Sequence, residues 1–330
     1  MSSVEGISPT RPAASPGVSV LMCVRDELPH VLDEALQSIC GQSLQEFELL
    51  LIDDGSVQSG TIEVEQRWAA RDNRIRLLRE PARGLTASLN VGLRLCRAPV
   101  VARHDSDDWS DPQRLERQLA ELQRRPELGL LGSQYLAHRQ NGAPLWRSKL
   151  PEAHTDIVAT FAARNPFCHG ATLFRRDLAL VLGGYRESLA CSQDYDFFWR
   201  LSERAQTANM PDVLYHYRFS GRSISAQKAV DQASAAVITR ALADMRRRGA
   251  EDFAAAEVLA AEATRELDRH GLVIRKRADN LLLAGEGRRA LDLYLSLALA
   301  RPFSLVAHAA LLRGLAFVAL PSAGRLLFDR

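Results

Sequence analysis

Two clusters of aspartates dominate the chemistry that this sequence could support. Asp53 and Asp54 follow one apolar run, and Asp105, Asp107 and Asp108 follow another. Carboxylates crowded together repel each other unless a cation neutralises them. Their hard oxygen atoms suit Mn²⁺ or Mg²⁺, and such ions usually bind through one or two carboxylates plus the phosphates of a substrate. The clusters therefore predict a site for a metal and a diphosphate.

The elements that must position these clusters are short apolar runs that alternate with helical patterns. This alternation is typical of βαβ units and a mostly parallel sheet. Strands are predicted at 18–24, 47–52, 75–78 and 100–102, and helices at 31–39 and 85–95. In open α/β sheets, ligands bind beyond the carboxyl ends of the strands, so both clusters should meet at one edge.

The alternative is that these aspartates only form turns or cap helices, as aspartate often does. It explains Asp111, which we expect to cap a helix that Pro112 opens. It explains the run from Asp105 to Asp108 poorly, because one helix needs only one cap.

Composition limits the class of protein. The 330 residues, 46% hydrophobic and 25% charged, suit one large globular domain with a smaller appendage. A net charge of +2 is too small to predict a nucleic-acid partner. Five cysteines without CxxC spacing favour reduced thiols in the cytoplasm over disulfides or a zinc site. Residues 1–16 lack the apolar region of a signal peptide and are predicted to be a disordered leader.

The last third of the chain changes character. From 226 onward it is rich in Ala, Leu and Arg, and successive helices are predicted with breaks near Gly249, Gly271, Gly285 and Pro302. We therefore place a domain boundary near Ser225, between a 17–225 domain and an all-helical 226–330 region.

Charge in this region is strongly positive. Between 269 and 330 there are ten Arg or Lys residues and four acids. A basic, Leu-rich helical region fits an element lying on anionic lipid, without the roughly 18 apolar residues of a membrane span. The alternative is a soluble helical bundle that packs on the catalytic domain or on a second protomer.

Several segments in order carry a resemblance to a known family. They are VSVLMCV, LLLIDDGS, RGLTASLNVGL, VARHDSDDWSDPQRL, NPFCHGATLFRRD, GGYRE and QDYDFFWRL. Together, over roughly 18–225, they resemble the family 2 glycosyltransferases with the GT-A fold. The resemblance implies an α/β, Rossmann-like catalytic domain with a mostly parallel sheet. It also implies inverting transfer of a sugar from a nucleotide diphosphate donor, with a UDP-sugar favoured.

The resemblance also implies roles for the aspartates. Asp54 matches the residue that binds the base of the donor, with Asp53 beside it. Asp105 and Asp107 match the DxD motif, whose second aspartate usually holds the Mn²⁺ or Mg²⁺ that bridges the donor phosphates. Asp108 extends that motif toward the ribose or the sugar.

Catalysis and acceptor binding are implied for three further residues. Asp194 matches the catalytic base that deprotonates the acceptor hydroxyl. His169 and Gly170 lie in a segment that lines the acceptor side, although a lone histidine is more often structural. The QxxRW-type motif of processive synthases is absent after Asp194, and Arg200 lies too close to replace it, so a single addition is predicted.

Two donor-side positions depart from the family pattern. Arg25, two residues past Cys23, stands where an aromatic side chain often stacks on the base, and a guanidinium can stack as well. Leu89 replaces a usual basic residue, so Arg83 or Arg103 is a candidate phosphate contact. Both arginines could equally be solvated surface residues.

The predicted role is assembly of cell-surface polysaccharide or lipopolysaccharide, with a saccharide or lipid-linked acceptor, at the inner face of the cytoplasmic membrane. One rival is a catalytically silent scaffold that binds nucleotide sugars, and the retained Asp107 and Asp194 argue against it. Another is a sugar nucleotidyltransferase, which should have a Gly-rich phosphate loop after the first strand. The segment CVRDEL contains no glycine there.

Overall fold

The computed structural model describes residues 16–219, 228–269, 271–302 and 304–319. The strands within them are β1 (Val18–Val24), β2 (Phe47–Asp54), β3 (Ile75–Glu80), β4 (Val100–Asp105), β5 (Trp109–Ser110), β6 (Leu128–His138), β7 (Pro144–Arg147), β8 (Leu173–Arg175) and β9 (Gln206–Arg218). The helices of the sheet region are α1 (Pro29–Cys40), α2 (Ser59–Arg71), α3 (Leu85–Leu95), α4 (Arg114–Arg124), α5 (His154–Phe161), α6 (Arg176–Val181) and α7 (Gln193–Ser202). Those that follow are α8 (Ala229–Arg247), α9 (Phe253–Arg269), α10 (Leu272–Leu283), α11 (Gly287–Ala300) and α12 (Leu305–Ala319).

The strands form one mixed, mostly parallel sheet in the order β3-β2-β1-β4-β8-β6-β9-β5, with β7 beside β6. The β3-β2-β1-β4 half is parallel, as the sequence predicts. Its central strands β1 and β2 are buried along their whole length, because helices cover both faces. The register sets Cys23 beside both Ile52 and Asp105, so the carboxyl ends of β2 and β4 flank that of β1.

The other half of the sheet depends on one antiparallel strand. The short strand β8 pairs antiparallel with both β4 and β6, and β6 then runs parallel to β9. This insertion brings the 3-10 turn His169–Ala171, which precedes β8, beside the end of β4.

The prediction that Pro112 opens a helix is wrong. Helix α4 begins at Arg114, two residues later. The backbone N–H of Asp111 is bonded to Leu214, and the Asp111 carboxylate accepts the N–H of Gln113. Asp111 is thus tied to β9, and the backbone N–H of Arg114 bonds back to its carbonyl, so a turn over 112–113 precedes the first helical residue.

The helices of the last third end and begin near the predicted breaks, at Gly249, Gly271, Gly285 and Pro302. Helices α10 to α12 pack together against Ala137 of β6 and Leu145 of β7. No helix in the described ranges is both long and apolar enough to cross a membrane. The predicted boundary near Ser225 and residues 1–15 of the predicted leader lie outside the described residues.

Candidate active site

A cleft of about 840 Å³ opens at the carboxyl ends of β1, β2 and β4. It brings together most of the residues that the sequence singles out: Cys23, Arg25, Asp54, Arg83, Arg103, Asp105, Asp107, His169 and Asp194. Three others, Asp53, Asp108 and Gly170, lie behind its walls. The cleft therefore joins the predicted donor, metal and catalytic residues in one space.

The two aspartates at the end of β2 face opposite ways, because successive side chains of a strand alternate. Asp54 faces the cleft and accepts hydrogen bonds from the backbone N–H groups of Arg83 and Gly84 and from the Ser88 hydroxyl. Asp53 is fully buried and forms a 2.8 Å ion pair with Arg79. Asp54 thus shapes the cleft wall ahead of α3, whereas Asp53 ties β2 to β3.

Asp105 is held at the cleft floor by a buried arginine. The Arg103 guanidinium, 1% exposed, lies 2.6 Å from the Asp105 carboxylate and also donates to the Leu21 carbonyl. Arg103 is therefore not the solvated surface residue that one alternative described. Its main partner in the structure is Asp105.

Gly170 supports Asp105 from behind. A Cβ at this position would lie 1.9 Å from the Tyr215 hydroxyl and 2.7 Å from Oδ2 of Asp105. The absence of a side chain lets the Tyr215 hydroxyl approach and accept the backbone N–H of Asp105 at 3.2 Å. The residue acts through close packing, which only glycine permits.

The acidic cluster after β4 is short of positive charge. Burial, followed by the negative charges of Asp105 and Glu27, raises the pKa of the Asp107 carboxyl to about 7. Burial and the charges of Asp107 and Asp105 hold the pKa of Asp108 well above its usual range. Asp108 accepts the backbone N–H of Arg218, which fastens the motif to β9. Such a cluster favours a cation at Asp105 and Asp107.

These oxygens fit a shared metal site. Over the part of the chain that the structure describes, no group of three or more His, Cys, Asp and Glu side chains is arranged to hold a metal. Asp105 and Asp107 instead suit the mode in which one or two carboxylates share Mn²⁺ or Mg²⁺ with donor phosphates.

Asp194 lies in the first turn of α7 and lines the same cleft as Asp105 and Asp107. It follows Ser192, a residue with a φ of 54° that turns the chain into the helix. Burial raises the pKa of Asp194 to about 6, although the backbone N–H groups of the helix start and Arg103 oppose the rise. A carboxylate with this pKa is a suitable general base near neutral pH.

His169 is both a cleft residue and a structural one. Its Nε2 lies 3.0 Å from the Tyr185 hydroxyl, and its ring packs edge-on against Tyr185 and Phe198. Burial and the charge of Arg103 hold its pKa well below the usual range, so the ring is neutral.

The two remaining arginines that the sequence singles out, Arg25 and Arg83, are exposed cations of the cleft. Arg25 is half exposed and lies 3.8 Å from Asp54, and Arg83 is half exposed and pairs with Glu80 at 3.0 Å. Cys23 of β1 is buried, and burial raises the pKa of its thiol to about 12. Cys23 therefore contributes shape to the cleft rather than charge.

Sequence reasoning missed several residues of the cleft. Glu27 faces Asp107, Asn165 binds Asp194, and Lys228 and Gln232 reach the cleft from the start of α8. Asn165 opens the segment NPFCHGATLFRRD that carries the resemblance, and this was the signal available for it, whereas Glu27 lies three residues past VSVLMCV. For Lys228 and Gln232 the sequence offers none, because they lie beyond the catalytic motifs.

Comparison with known proteins identifies the family of the chain. Residues 19–181 match glycosyl transferase family 2. The amylovoran biosynthesis glycosyltransferase AmsE of Erwinia amylovora is 33% identical over 193 residues, 58% of this chain and 72% of that protein. An Escherichia coli UDP-Gal:alpha-D-GlcNAc-diphosphoundecaprenol beta-1,3-galactosyltransferase is 30% identical over 208 residues, 62% of this chain and 75% of that protein.

The fold is similar to that of a solved glycosyltransferase. It is the mannosyltransferase PcManGT of Pyrobaculum calidifontis, solved in complex with GDP-Man and Mn²⁺. The alignment covers 96% of this chain and 85% of that chain, with a TM-score of 0.54 and 20% sequence identity. The fold, the ordered motifs and the relatives all lead to the same assignment. The chain belongs to glycosyl transferase family 2 and is a glycosyltransferase with the GT-A fold.

Proposed function

We propose that this enzyme transfers one sugar, with inversion, from a nucleotide diphosphate donor, a UDP-sugar by preference, to a saccharide or lipid-linked acceptor. One observation carries the proposal. The same cleft is lined by Asp194 from α7 and by Asp105 and Asp107 from the end of β4. One side can therefore bind a diphosphate while the other accepts a proton.

The chemistry follows from this arrangement. The Asp194 carboxylate takes the proton of the acceptor hydroxyl as its oxygen bonds to the anomeric carbon, and the bond from that carbon to the nucleoside diphosphate breaks on the opposite face. One displacement inverts the anomeric centre, and one base is enough. Asn165, which donates to Asp194, orients the carboxylate for this step.

The donor side binds and orients the leaving group. Asp105 and Asp107 would hold Mn²⁺ or Mg²⁺, and the bound ion neutralises charge on the diphosphate. We assign the base of the nucleotide to Arg25 and Asp54, which line the cleft 3.8 Å apart, and a phosphate contact to Arg83 of the same cleft.

Single addition is supported by the position of Arg200. This arginine is buried, pairs with Asp196 and donates to the carbonyls of Leu182 and Gly184. It therefore does not supply the arginine of a processive motif.

Relatives named for amylovoran and for a lipid-diphosphate galactosyltransferase support a role in cell-surface polysaccharide or lipopolysaccharide biosynthesis. The experiment is a panel of nucleotide sugars incubated with the protein and Mn²⁺. Hydrolysis of at least one donor, abolished in Asp107→Ala, is expected. If donors are bound but none is hydrolysed, the silent scaffold becomes the better account, whereas the nucleotidyltransferase alternative is disfavoured by the family assignment.

Peripheral membrane contact is part of the proposal. Ala307, Ala310 and Phe317 of α12 pack inward. Large apolar side chains of α11 and α12 remain exposed; they are Leu295, Leu299, Leu305, Val306, Leu312, Leu315 and Val318. We call this set the outer apolar face. The surplus of Arg and Lys in this region favours an anionic lipid surface as its partner, at the inner face of the cytoplasmic membrane.

A further inference from the structure

A second cavity of about 490 Å³ lies beside the catalytic cleft. Leu150 and Arg164 belong to the walls of both, so the two spaces adjoin. The shared wall is on the side of Asp194, because the residue that follows Arg164, Asn165, is bonded to that carboxylate. A group in the second cavity would therefore be close to the acceptor hydroxyl and away from the donor motifs.

The lining of this cavity is cationic. It is lined by three cations, Arg147, Lys149 and Arg164, and by one acidic side chain, Glu152. Within the described ranges, none of these three cations forms an ion pair with a carboxylate; Arg147 donates to the carbonyl of Pro211. Like charges that converge on a concave wall focus a positive potential and attract an anion.

The loop that carries Lys149 is held rigidly. The buried side chain of Gln134 donates to the Leu150 carbonyl and accepts both the Leu150 N–H and the Ser148 hydroxyl. Ser148 also accepts the backbone N–H of Tyr135. The residues on both sides of Lys149 are thus fixed to β6, which lowers the entropic cost of binding a ligand at this lysine.

We propose that this cavity binds an anionic group of the acceptor, a phosphate or a carboxylate, next to the sugar whose hydroxyl reacts. The proposal rests on the proposed function and names the acceptor class for the same site. Two sources share this chemistry: the diphosphate of a lipid-linked sugar and the uronate of an acidic saccharide. Lys149 and Arg164 supply the charge, and Gln134 holds the loop in place.

The test measures binding of small acceptor analogues by calorimetry. The full chain is saturated with UDP and Mn²⁺, so that the donor site cannot take the analogue. For glucose, galactose and N-acetylglucosamine in turn, we compare the neutral methyl glycoside with the 1-phosphate, the citronellyl diphosphate and, where it exists, the uronate. In at least one series a charged analogue should bind about tenfold more tightly than the neutral one, as one charged hydrogen bond provides.

The variants Lys149→Met and Arg164→Met, singly and together, should remove this preference. Arg97→Met is the matched control, since Arg97 is exposed near the opposite end of the sheet, just before β4. Preference for the diphosphate analogue identifies the lipid-linked source, and preference for the uronate identifies the acidic saccharide. Equal binding of charged and neutral analogues in every series, or a preference that survives in the double variant, would overturn the proposal.

Donor hydrolysis separates this test from that of the proposed function. If the parent protein hydrolyses a nucleotide sugar but shows no charge preference, only the anion cavity is refuted. If it hydrolyses none of the panel, the proposed transfer itself is refuted.

Discussion

The side-chain amide of Asn165 donates a 2.7 Å hydrogen bond to the carboxylate of Asp194. Asn165 belongs to the segment before the 3-10 turn, and Asp194 begins α7, so the bond joins two elements that meet only in the folded chain. A hydrogen bond to the charged form of a carboxyl favours that form. We therefore expect the hydrogen bond from Asn165 to favour the ionised form of the Asp194 carboxyl.

Asp194→Asn should lower transfer by about 10²–10⁴, the contribution of a positioned base. Asn keeps the volume of the side chain and also suits the start of a helix. Donor affinity, measured by calorimetry with UDP and Mn²⁺, should stay close to that of the parent. Turnover within about threefold of the parent, far short of the loss expected for a missing base, would exclude Asp194 from this role.

The pH dependence of kcat should show one limb near pH 6, with the rate rising as pH rises. The base must be unprotonated to act, and the pKa of Asp194 is raised to about 6. In Asn165→Leu the carboxylate loses a donor, its pKa rises further and the limb should move to higher pH. A limb that keeps its position in this variant would assign the titration to another group, such as Asp107.

Nucleotide diphosphate binding should require a divalent metal. EDTA and Asp107→Ala should each weaken UDP binding about tenfold or more, because neutralising the diphosphate is worth several kcal/mol. Adding Mn²⁺ back should restore the affinity of the parent but not that of the variant. Unchanged affinity in EDTA by calorimetry would rule out the metal site.

Asp196 should be essential for stability. It is fully buried on α7, with Arg200 at 2.8 Å, Arg186 at 3.6 Å and Arg246 of α8 at 3.8 Å. Asp196→Asn leaves the buried Arg200 without a counter-charge, whereas Arg186 and Arg246 keep Glu251 and Glu203 as partners. Because Arg200 then stays buried and unpaired, the change should lower the free energy of unfolding by about 3–5 kcal/mol.

The control for this prediction is Arg247→Ala. Arg247 neighbours Arg246 but is largely exposed and pairs with Asp244 on the surface. Its loss should change the free energy of unfolding in urea by about 0–1 kcal/mol. A similarly small effect of Asp196→Asn would show that Arg200 does not need the charge of Asp196.

The outer apolar face should bind anionic membranes. In flotation assays, the parent protein should rise with vesicles containing phosphatidylglycerol, less so at high salt and with neutral phosphatidylcholine. Leu312→Glu with Leu315→Glu should abolish binding without changing the circular dichroism spectrum, because both side chains point outward.

Val181→Glu is the matched control, since Val181 is an exposed apolar residue at the end of α6 in the catalytic domain. It should leave vesicle binding intact. A parent protein that fails to float, and instead dimerises with rising concentration in sedimentation, would favour the alternative of packing against a second protomer.

The parallel half of the sheet, with both aspartate clusters at its edge, was predictable from the sequence. Buried strands such as Val18–Val24 read as continuous apolar runs, and helices such as Leu85–Leu95 as apolar stripes. Parallel strands place their carboxyl ends together, so the shared cleft of Asp54 and Asp105 follows from local patterns. The helical last third was predictable for the same reason.

Only the tertiary structure decided which residues of each motif face the cleft and which contacts hold them in place. Asp53 pairs with Arg79, Arg103 lies beneath Asp105, and Gly170 makes room for Tyr215. The first of these contacts joins β2 to β3, the second lies within β4, and the third joins the 3-10 turn to β9. The antiparallel strand β8 that follows Gly170 has only three residues. Local periodicity reports which side of an element is apolar, but a polar partner is chosen by burial and charge across the whole fold, where an unpaired buried group is costly.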